Sequence, residues 1–333
     1  MSVRFLNNAE VKKHFLKLQS SALVSHIEAL KQGLAKYSKN PAVVPPRTQV
    51  ATPNGATGFL FMPVADNDYC GIKSLGYNPS SGLGFVGCIN ILSPESGALE
   101  GMVDAKELTG IRTALCTNIG LLQNMERLKD TELLKVTVFG AGLQAFWHVL
   151  VCAKLFHKKQ VSINVIYRNN KLNDSLLTEW CPNVVEVNQV KSDDENVAEL
   201  CSHSNVVYGT IPSTTPGILA EYFEKQVPGV DFTYVGLIGS YQPQMHECDD
   251  RLISLFKTQD RKIIVDSKEH VLAEAGELID SHAAKSQLVE IGTLEENSES
   301  LDVTVGSRKL VLSKLVGLAI MDIVMAKRLL EEI

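Results

Sequence analysis

The stretch KVTVFGAGLQA, residues 135–145, decides how the rest of the chain is read. Lys135 to Phe139 has the length of a short buried strand, with β-branched Val136 and Val138 inside it. Gly140-Ala141-Gly142 comes next, and Leu143 and Gln144 lead into an apolar helical run. Gly140 permits a tight turn, Gly142 lets the backbone approach a pyrophosphate, and Ala145 keeps the helix close to the strand. The free N–H groups and the positive end of the helix suit phosphate oxygens. A glycine string alone is a weak signal. The strand before it and the helix after it give it the context of a dinucleotide fold.

Downstream, strand and helix signals alternate, which is the pattern of a parallel α/β sheet. Strands are expected at 135–139, 162–167, 184–187, 205–208, 233–238 and 262–265, with helices at 142–157, 172–180, 194–203, 243–257 and 267–279. A nicotinamide fold that uses NAD ends its second strand in an acid that takes the ribose 2′-hydroxyl. Here that strand ends Tyr167-Arg168-Asn169-Asn170, and Arg168 is placed to pair with a 2′-phosphate. The expected cofactor is therefore NADPH, with NADH as the other candidate. The loop Thr210-Ile211-Pro212-Ser213-Thr214-Thr215-Pro216 comes after the fourth strand, where such folds line the cofactor cleft. An amphipathic helix is expected over 313–331, packed outside the nucleotide sheet, and the polar run Glu295 to Glu299 reads as an exposed loop.

Upstream the pattern differs. Residues 8–38 read as two helices, the first capped by Asn8, the second with Leu23, Ile27, Leu30 and Leu34 on one face. Strand-like runs lie at 57–62, 69–74, 84–92 and 98–103, and suggest a mostly antiparallel sheet. Asp104-Ala105-Lys106-Glu107 reads as a capping box opening a helix to about Asn124. The fold class is thus α/β: a Rossmann-type NAD(P)-binding domain over 128–312, and an α+β domain over 1–127 to which 313–333 returns.

Composition removes several functions. A net charge of −6 argues against nucleic acid as a partner. The opening MSVRFLNNAEVKKHF has no apolar signal core, and the most apolar late run, 311–326, is broken by Lys314 and Asp322, so no membrane partner is expected. Seven scattered cysteines without a CxxC suggest reduced thiols and a cytoplasmic setting. The eight histidines form no HExxH, so no metal is expected, and Glu247-Cys248-Asp249-Asp250 reads as the acidic first turn of a helix. His148 reads as a helix-surface or interface residue.

Three cations stand out by context. Arg47 comes after two prolines, Lys73 lies in an apolar strand, and Arg112 sits in the otherwise uncharged LTGIRTALC. An ammonium in such a strand must reach water or find an anion. In order and spacing, PPR (45–47), GIK (71–73), NP (78–79), ELTGIRTA (107–114), FGAGLQA (139–145), YRNN (167–170), GSYQPQMHECDD (239–250) and KLVGLAIMDIVMAK (314–327) resemble the ornithine cyclodeaminase/mu-crystallin family. The resemblance runs nearly end to end and is closer to the mu-crystallin branch.

That resemblance implies a homodimer whose first domain serves substrate binding and dimerisation. It implies that Arg47, Lys73 and Arg112 converge on the carboxylate of a small imino or amino acid and act as the catalytic residues. It assigns the cofactor to Thr113, Gly140, Gly142, Leu143, Gln144, Arg168, Asn169, Thr210 and Ile238. The cyclodeaminases carry an aspartate where alignment puts Tyr241, and a threonine where Phe85 falls. The implied activity is an NAD(P)H-dependent oxidoreductase of the ketimine reductase or amino-acid dehydrogenase type. A catalytically inactive NADPH-binding, ligand-binding protein and an ornithine cyclodeaminase-type deaminase are the two alternatives.

Overall fold

A computed structural model describes residues 3–297 and 299–333. The chain forms two compact units, one of 1–113 with 317–333 and the other of 114–316. The expected divisions were at 127/128 and 312/313. The first division falls inside a continuous helix, Ala105–Gln123, which no local signal in the sequence divides.

The first unit opens with β1 (Arg4–Leu6), α1 (Asn8–Lys17) and α2 (Ser20–Lys39). Next come β2 (Thr48–Ala51), β3 (Gly58–Ala65), β4 (Cys70–Tyr77), β5 (Phe85–Leu92), β6 (Leu99–Asp104) and α3 (Ala105–Gln123). The six strands lie in the order β1-β6-β5-β4-β3-β2, antiparallel except for the parallel pair β1 and β6. The short edge strands β1 and β2 were not expected, because neither has enough residues to show alternation. Leu23, Ile27, Leu30 and Leu34 of α2 are buried, each contributing roughly 1.5–3 kcal/mol of apolar burial.

The helix starts in this unit differ from expectation. Asn7, not Asn8, caps α1, in a capping box with Glu10. Asn8 instead ties α1 to α3, because its Oδ1 accepts the Glu107 N–H at 2.9 Å while Asp104 Oδ2 accepts the Asn8 N–H at 3.0 Å. The cap read locally into Asp104–Glu107 is thus supplied from a distant part of the chain.

The second unit alternates as expected: β7 (Leu133–Phe139), α4 (Leu143–Leu155), β8 (Gln160–Tyr167), α5 (Ser175–Trp180), β9 (Val184–Lys191), α6 (Val197–Ser202), β10 (Val206–Gly209), α7 (Glu221–Glu224) and β11 (Phe232–Leu237). It continues with α8 (Asp250–Thr258), β12 (Ile263–Val265), α9 (Lys268–Glu274), α10 (Gly276–Asp280), β13 (Leu288–Glu290), β14 (Val303–Val305) and β15 (Arg308–Lys314). The sheet order is β9-β8-β7-β10-β11-β15-β12-β13, all parallel, with β14 antiparallel on β15. β7 lies between β8 and β10, so the strand order reverses at its carboxyl end, the ligand-binding point of doubly wound sheets.

Four expectations are corrected here. The helix expected over 243–257 begins at Asp250, where the Asp249 carboxylate accepts the Leu252 N–H; residues 243–249 are turn and loop. The helix over 267–279 is two, broken where Ala275 turns extended before Gly276. The stretch 313–331 is not one helix. Its first residues finish β15, Gly317 turns at φ +92°, and α11 (Ala319–Glu332) then packs in the first unit on α2, β4 and β5. Of the polar run expected as loop, Glu295 and Glu296 close a 3-10 turn, and residue 298 lies outside the described residues. Among the described residues no helix is long and apolar enough to cross a membrane.

Candidate active site

In the first unit the strand register puts Lys73 on the face of β4 that α11 covers, opposite Met62 of β3 and Ile89 of β5. Lys73 is 1 % exposed and has found its anion, Asp322 in the first turn of α11, with Nζ 2.8 Å from Oδ1. A second ammonium hydrogen goes to Thr109 Oγ1 at 2.8 Å, while that hydroxyl donates to the Ala105 carbonyl. The third is left over. Arg112, buried one turn further along α3, gives its Nε to the same Asp322 Oδ1 at 3.1 Å. Among the described residues its Nη1 donates to the Met321 sulfur alone, so most of its donors remain for an incoming acceptor.

Burial lowers the Lys73 pKa to about 8. Asp322 opposes the shift, while the Arg112 and Arg47 charges add to it. Lys73 and Arg112 thus meet on one carboxylate oxygen, and the charge of Arg47 reaches Lys73. The fourth member, Asp322, was not expected, since from sequence it is only a charge interrupting an apolar run. The signal was there. A single carboxylate inside GLAIMDIVMA mirrors a single ammonium inside an apolar strand, and both must be paired if buried. One carboxylate against two cations in direct contact, Lys73 and Arg112, leaves this cluster positive, and Asp322 Oδ2 is buried with no hydrogen-bond partner among the described residues. Such a cluster is set up to receive a carboxylate from a ligand. Phe85 stacks on Tyr77, its partner across β4 and β5, at 4.8 Å, and both rings are partly exposed.

In the second unit the glycine turn stands at the strand-order reversal. Gly140 adopts φ +119°, and a Cβ there would strike the Thr210 hydroxyl. The Thr210 N–H and Oγ1 both donate to the Phe139 carbonyl, at 3.0 and 2.7 Å, and hold the end of β10 against the end of β7. Gly142 caps α4, and a Cβ built on it would point into open space. The first N–H groups of α4, from Leu143, Gln144 and Ala145, precede its first internal bond, which Phe146 makes to Gly142. Gln144 Oε1 is buried without a hydrogen-bond partner among the described residues. An open cradle over free helix N–H groups fits a dinucleotide pyrophosphate.

Arg168, exposed just after β8, donates to Ser213 Oγ at 2.6 Å, and Ser213 passes its own hydrogen to the Thr215 carbonyl. The arginine and the loop after β10 are thus one rim. Asn169 is exposed beside it, and Ile238 leaves β11 with its N–H on the Gly209 carbonyl. Thr113, assigned to the cofactor by resemblance, is the last residue of the first unit's part of α3, its hydroxyl on the Thr109 carbonyl.

Two further features were not legible. His148 is buried rather than on a helix surface. Its Nδ1 donates to the Gln144 carbonyl, its Nε2 meets Thr117 Oγ1 at 3.0 Å, and burial lowers its pKa to about 4. It is a neutral packing residue. Glu247 does not simply precede a helix. It lies buried with Lys314 and Glu277, Nζ standing 3.3 Å from Glu247 and 3.5 Å from Glu277. Glu247 accepts the Gly239 N–H at 2.6 Å, and Ser240 donates to Glu277. Burial raises the Glu247 pKa despite Lys314, and Glu277 adds to that. The cluster pins the loop 239–247 to the carboxyl ends of β11 and β15.

A nine-stranded sheet in this order, with a glycine turn at its reversal, defines the second unit as a Rossmann-type α/β fold joined to an α+β unit. The model of the ornithine cyclodeaminase/mu-crystallin family matches residues 5–333, and the chain belongs to that family. It is 35% identical to an uncharacterized protein of Saccharomyces cerevisiae, over 99% of this chain and 97% of that one. It is 25% identical to the ketimine reductase mu-crystallin of Macropus fuliginosus, over 98% and 96% of the two chains. Among solved structures, the Delta(1)-pyrroline-2-carboxylate reductase of Thermococcus litoralis, in complex with NADH and L-proline, shares the fold. It matches with a TM-score of 0.76 at 20% identity, over 99% of this chain and 97% of that one.

Proposed function

We propose that the chain is an NAD(P)H-dependent reductase of a small carboxylated imine. The observation that carries this is the buried Lys73, its ammonium on Asp322 beside the Arg112 guanidinium on the same carboxylate oxygen. Two relatives whose names give reduction of a ketimine or of a pyrroline-2-carboxylate support the same reading. Arg47 and Arg112 hold the substrate carboxylate. The Gly140–Gly142 turn and the α4 N-terminus hold the cofactor pyrophosphate, and Arg168 takes a 2′-phosphate, which selects NADPH over NADH. The bound nicotinamide supplies the hydride that the imine carbon accepts. Lys73 delivers the proton to the imine nitrogen and is recharged from solvent, so one hydride and one proton turn the imine into the amine. With a pKa of about 8 it holds that proton at neutral pH and gives it up more readily than an ordinary lysine.

The sheet of the first unit also supports a homodimer. On the face away from α11, Phe5, Val50, Phe59 and Val86 are exposed and Phe61 and Ile72 half-buried, a contiguous apolar surface suited to a second copy. Light scattering of the purified chain tests this, and a monomer would refute it.

The function is tested by measuring oxidation of NADPH, with NADH in parallel, in the presence of piperideine-2-carboxylate or pyrroline-2-carboxylate. Imine-dependent oxidation, faster with NADPH, is expected. Lys73→Ala and Arg47→Ala should abolish turnover and leave NADPH binding intact, and Arg168→Asp should reverse the cofactor preference. Full activity in both of the first two variants would overturn the assignment of roles.

A further inference from the structure

On the first unit, away from the Lys73 cluster, three side chains from three helices meet. His14 of α1, His26 of α2 and Glu332 in the last turn of α11 bring their ligating atoms within 4.8 Å of one another. Nε2 of His14 and Nε2 of His26 each lie 3.2 Å from the same oxygen, Oε2 of Glu332.

The tautomers make this arrangement informative. His26 Nδ1 lies 2.9 Å from the Ala22 carbonyl, which can only accept, so Nδ1 carries the hydrogen. The neutral ring then presents a lone pair at Nε2, and it presents it to a carboxylate oxygen, which is also an acceptor. His26 is 1 % exposed and its Nε2 has no hydrogen-bond partner among the described residues. The ring packs edge-on against Phe15 at 5.2 Å, and burial lowers its pKa, which disfavours adding the second proton. A buried lone pair facing a carboxylate calls for a cation.

We propose that His14, His26 and Glu332 form a binding site for a divalent transition-metal ion of the zinc class. Two imidazole nitrogens and a carboxylate oxygen are a donor set of that class, and a water takes the fourth position. Metal–ligand bonds of about 2.0–2.2 Å in a tetrahedron put the donors about 3.3–3.5 Å apart. The two measured edges, 3.2 Å each, are already close to that. The supporting contacts are those of a metal ligand shell. The Ala22 carbonyl fixes the His26 ring through Nδ1, and Arg328 donates its Nε to the other Glu332 oxygen at 2.6 Å. Arg328 is itself anchored on Ser25, so the carboxylate is oriented before any ion arrives. The side chains of His14 and Glu332 are 20% and 27% exposed, which leaves an entry path. Residues 14, 26 and 332 lie too far apart in sequence to form a recognisable motif, which is why the histidine spacings suggested no metal.

The test is titration of the purified full-length chain with Co²⁺, whose visible bands report a four-coordinate site. Bands of a nitrogen and oxygen donor set, saturating at one ion per chain and bleached by Zn²⁺, are expected. His14→Ala and Glu332→Gln, both at partly exposed positions, should lose the bands and also lose the rise in melting temperature that Zn²⁺ gives the parent chain. Their circular dichroism should be unchanged. Absence of bands at millimolar Co²⁺ would overturn the proposal. So would bands that survive in both variants, or that carry thiolate charge-transfer absorption, since these would place the ion on cysteines.

Discussion

Replacing Asp322 by Asn tests the ionic cluster most directly. The substitution keeps the shape and removes the charge beside two buried cations, Lys73 at 2.8 Å and Arg112 at 3.1 Å. Breaking a buried pair from one side costs about 3–5 kcal/mol, because the remaining charge has lost its compensation. For a unit of this size that lowers the melting temperature by roughly 10 °C. The pH dependence separates this cause from a packing defect. In the parent chain burial lowers the Lys73 pKa to about 8, from 10.5 unfolded. Between those values the unfolded chain binds more protons, so stability rises with pH through that window, by on the order of 3 kcal/mol in all. Loss of Asp322 lowers the Lys73 pKa further and extends the window downward. The penalty of Asp322→Asn should therefore be large at about pH 7 and clearly smaller at about pH 9.5, where Lys73 is largely neutral in both folded proteins. Urea unfolding of both proteins at the two pH values measures it. A penalty independent of pH would refute the claim that Lys73 is charged and held by Asp322.

Three other outcomes are expected. Gly142→Ala should leave the melting temperature unchanged, since the added Cβ meets no protein atom, yet weaken dinucleotide binding at least about tenfold by filling the cradle; unaltered affinity by calorimetry would move the phosphate site elsewhere. The rate of imine reduction should fall as pH rises through about 8, where Lys73 loses the proton it donates, and a profile flat to about pH 10 would exclude it as the acid. His148 is held neutral with a pKa lowered to about 4, so the unfolded chain binds the extra proton between pH 6.5 and 4 and stability falls as pH drops through that range. His148→Gln should flatten that part of the acid-unfolding curve, and an unchanged slope would mean the ring is already solvated.

The sequence was most readable where the chemistry is local. The glycine turn, the missing acid after β8 and the alternation of strands and helices all depend on neighbours within a few residues, and each stands where it was expected. It was least readable where a buried charge hid its own environment. β15 carries Arg308, Lys309 and Lys314, so it did not read as a central strand, although Arg308 and Lys314 are both buried. Asp322 and Lys73 are 249 residues apart, and only the return of α11 to the first unit makes them a pair. The same distance effect moved the cap of α3 to Asn8 and concealed the company of Glu247.

The position of β15 also bears on how the chain is made. Residues 308–314 lie between β11 and β12 in the sheet, although β12 and β13 are synthesised before them. Until those residues leave the ribosome, β11 and β12 each keep an unpaired edge, and the β12–β13 pair has no register against the rest of the sheet. Unpaired parallel edges of this kind invite misassembly and chaperone attention. The nucleotide half of the molecule therefore cannot be finished in the order in which it is translated. It waits for a strand that arrives late and inserts at the centre, and the turn at Gly317 then sends the chain back to the unit that was begun first.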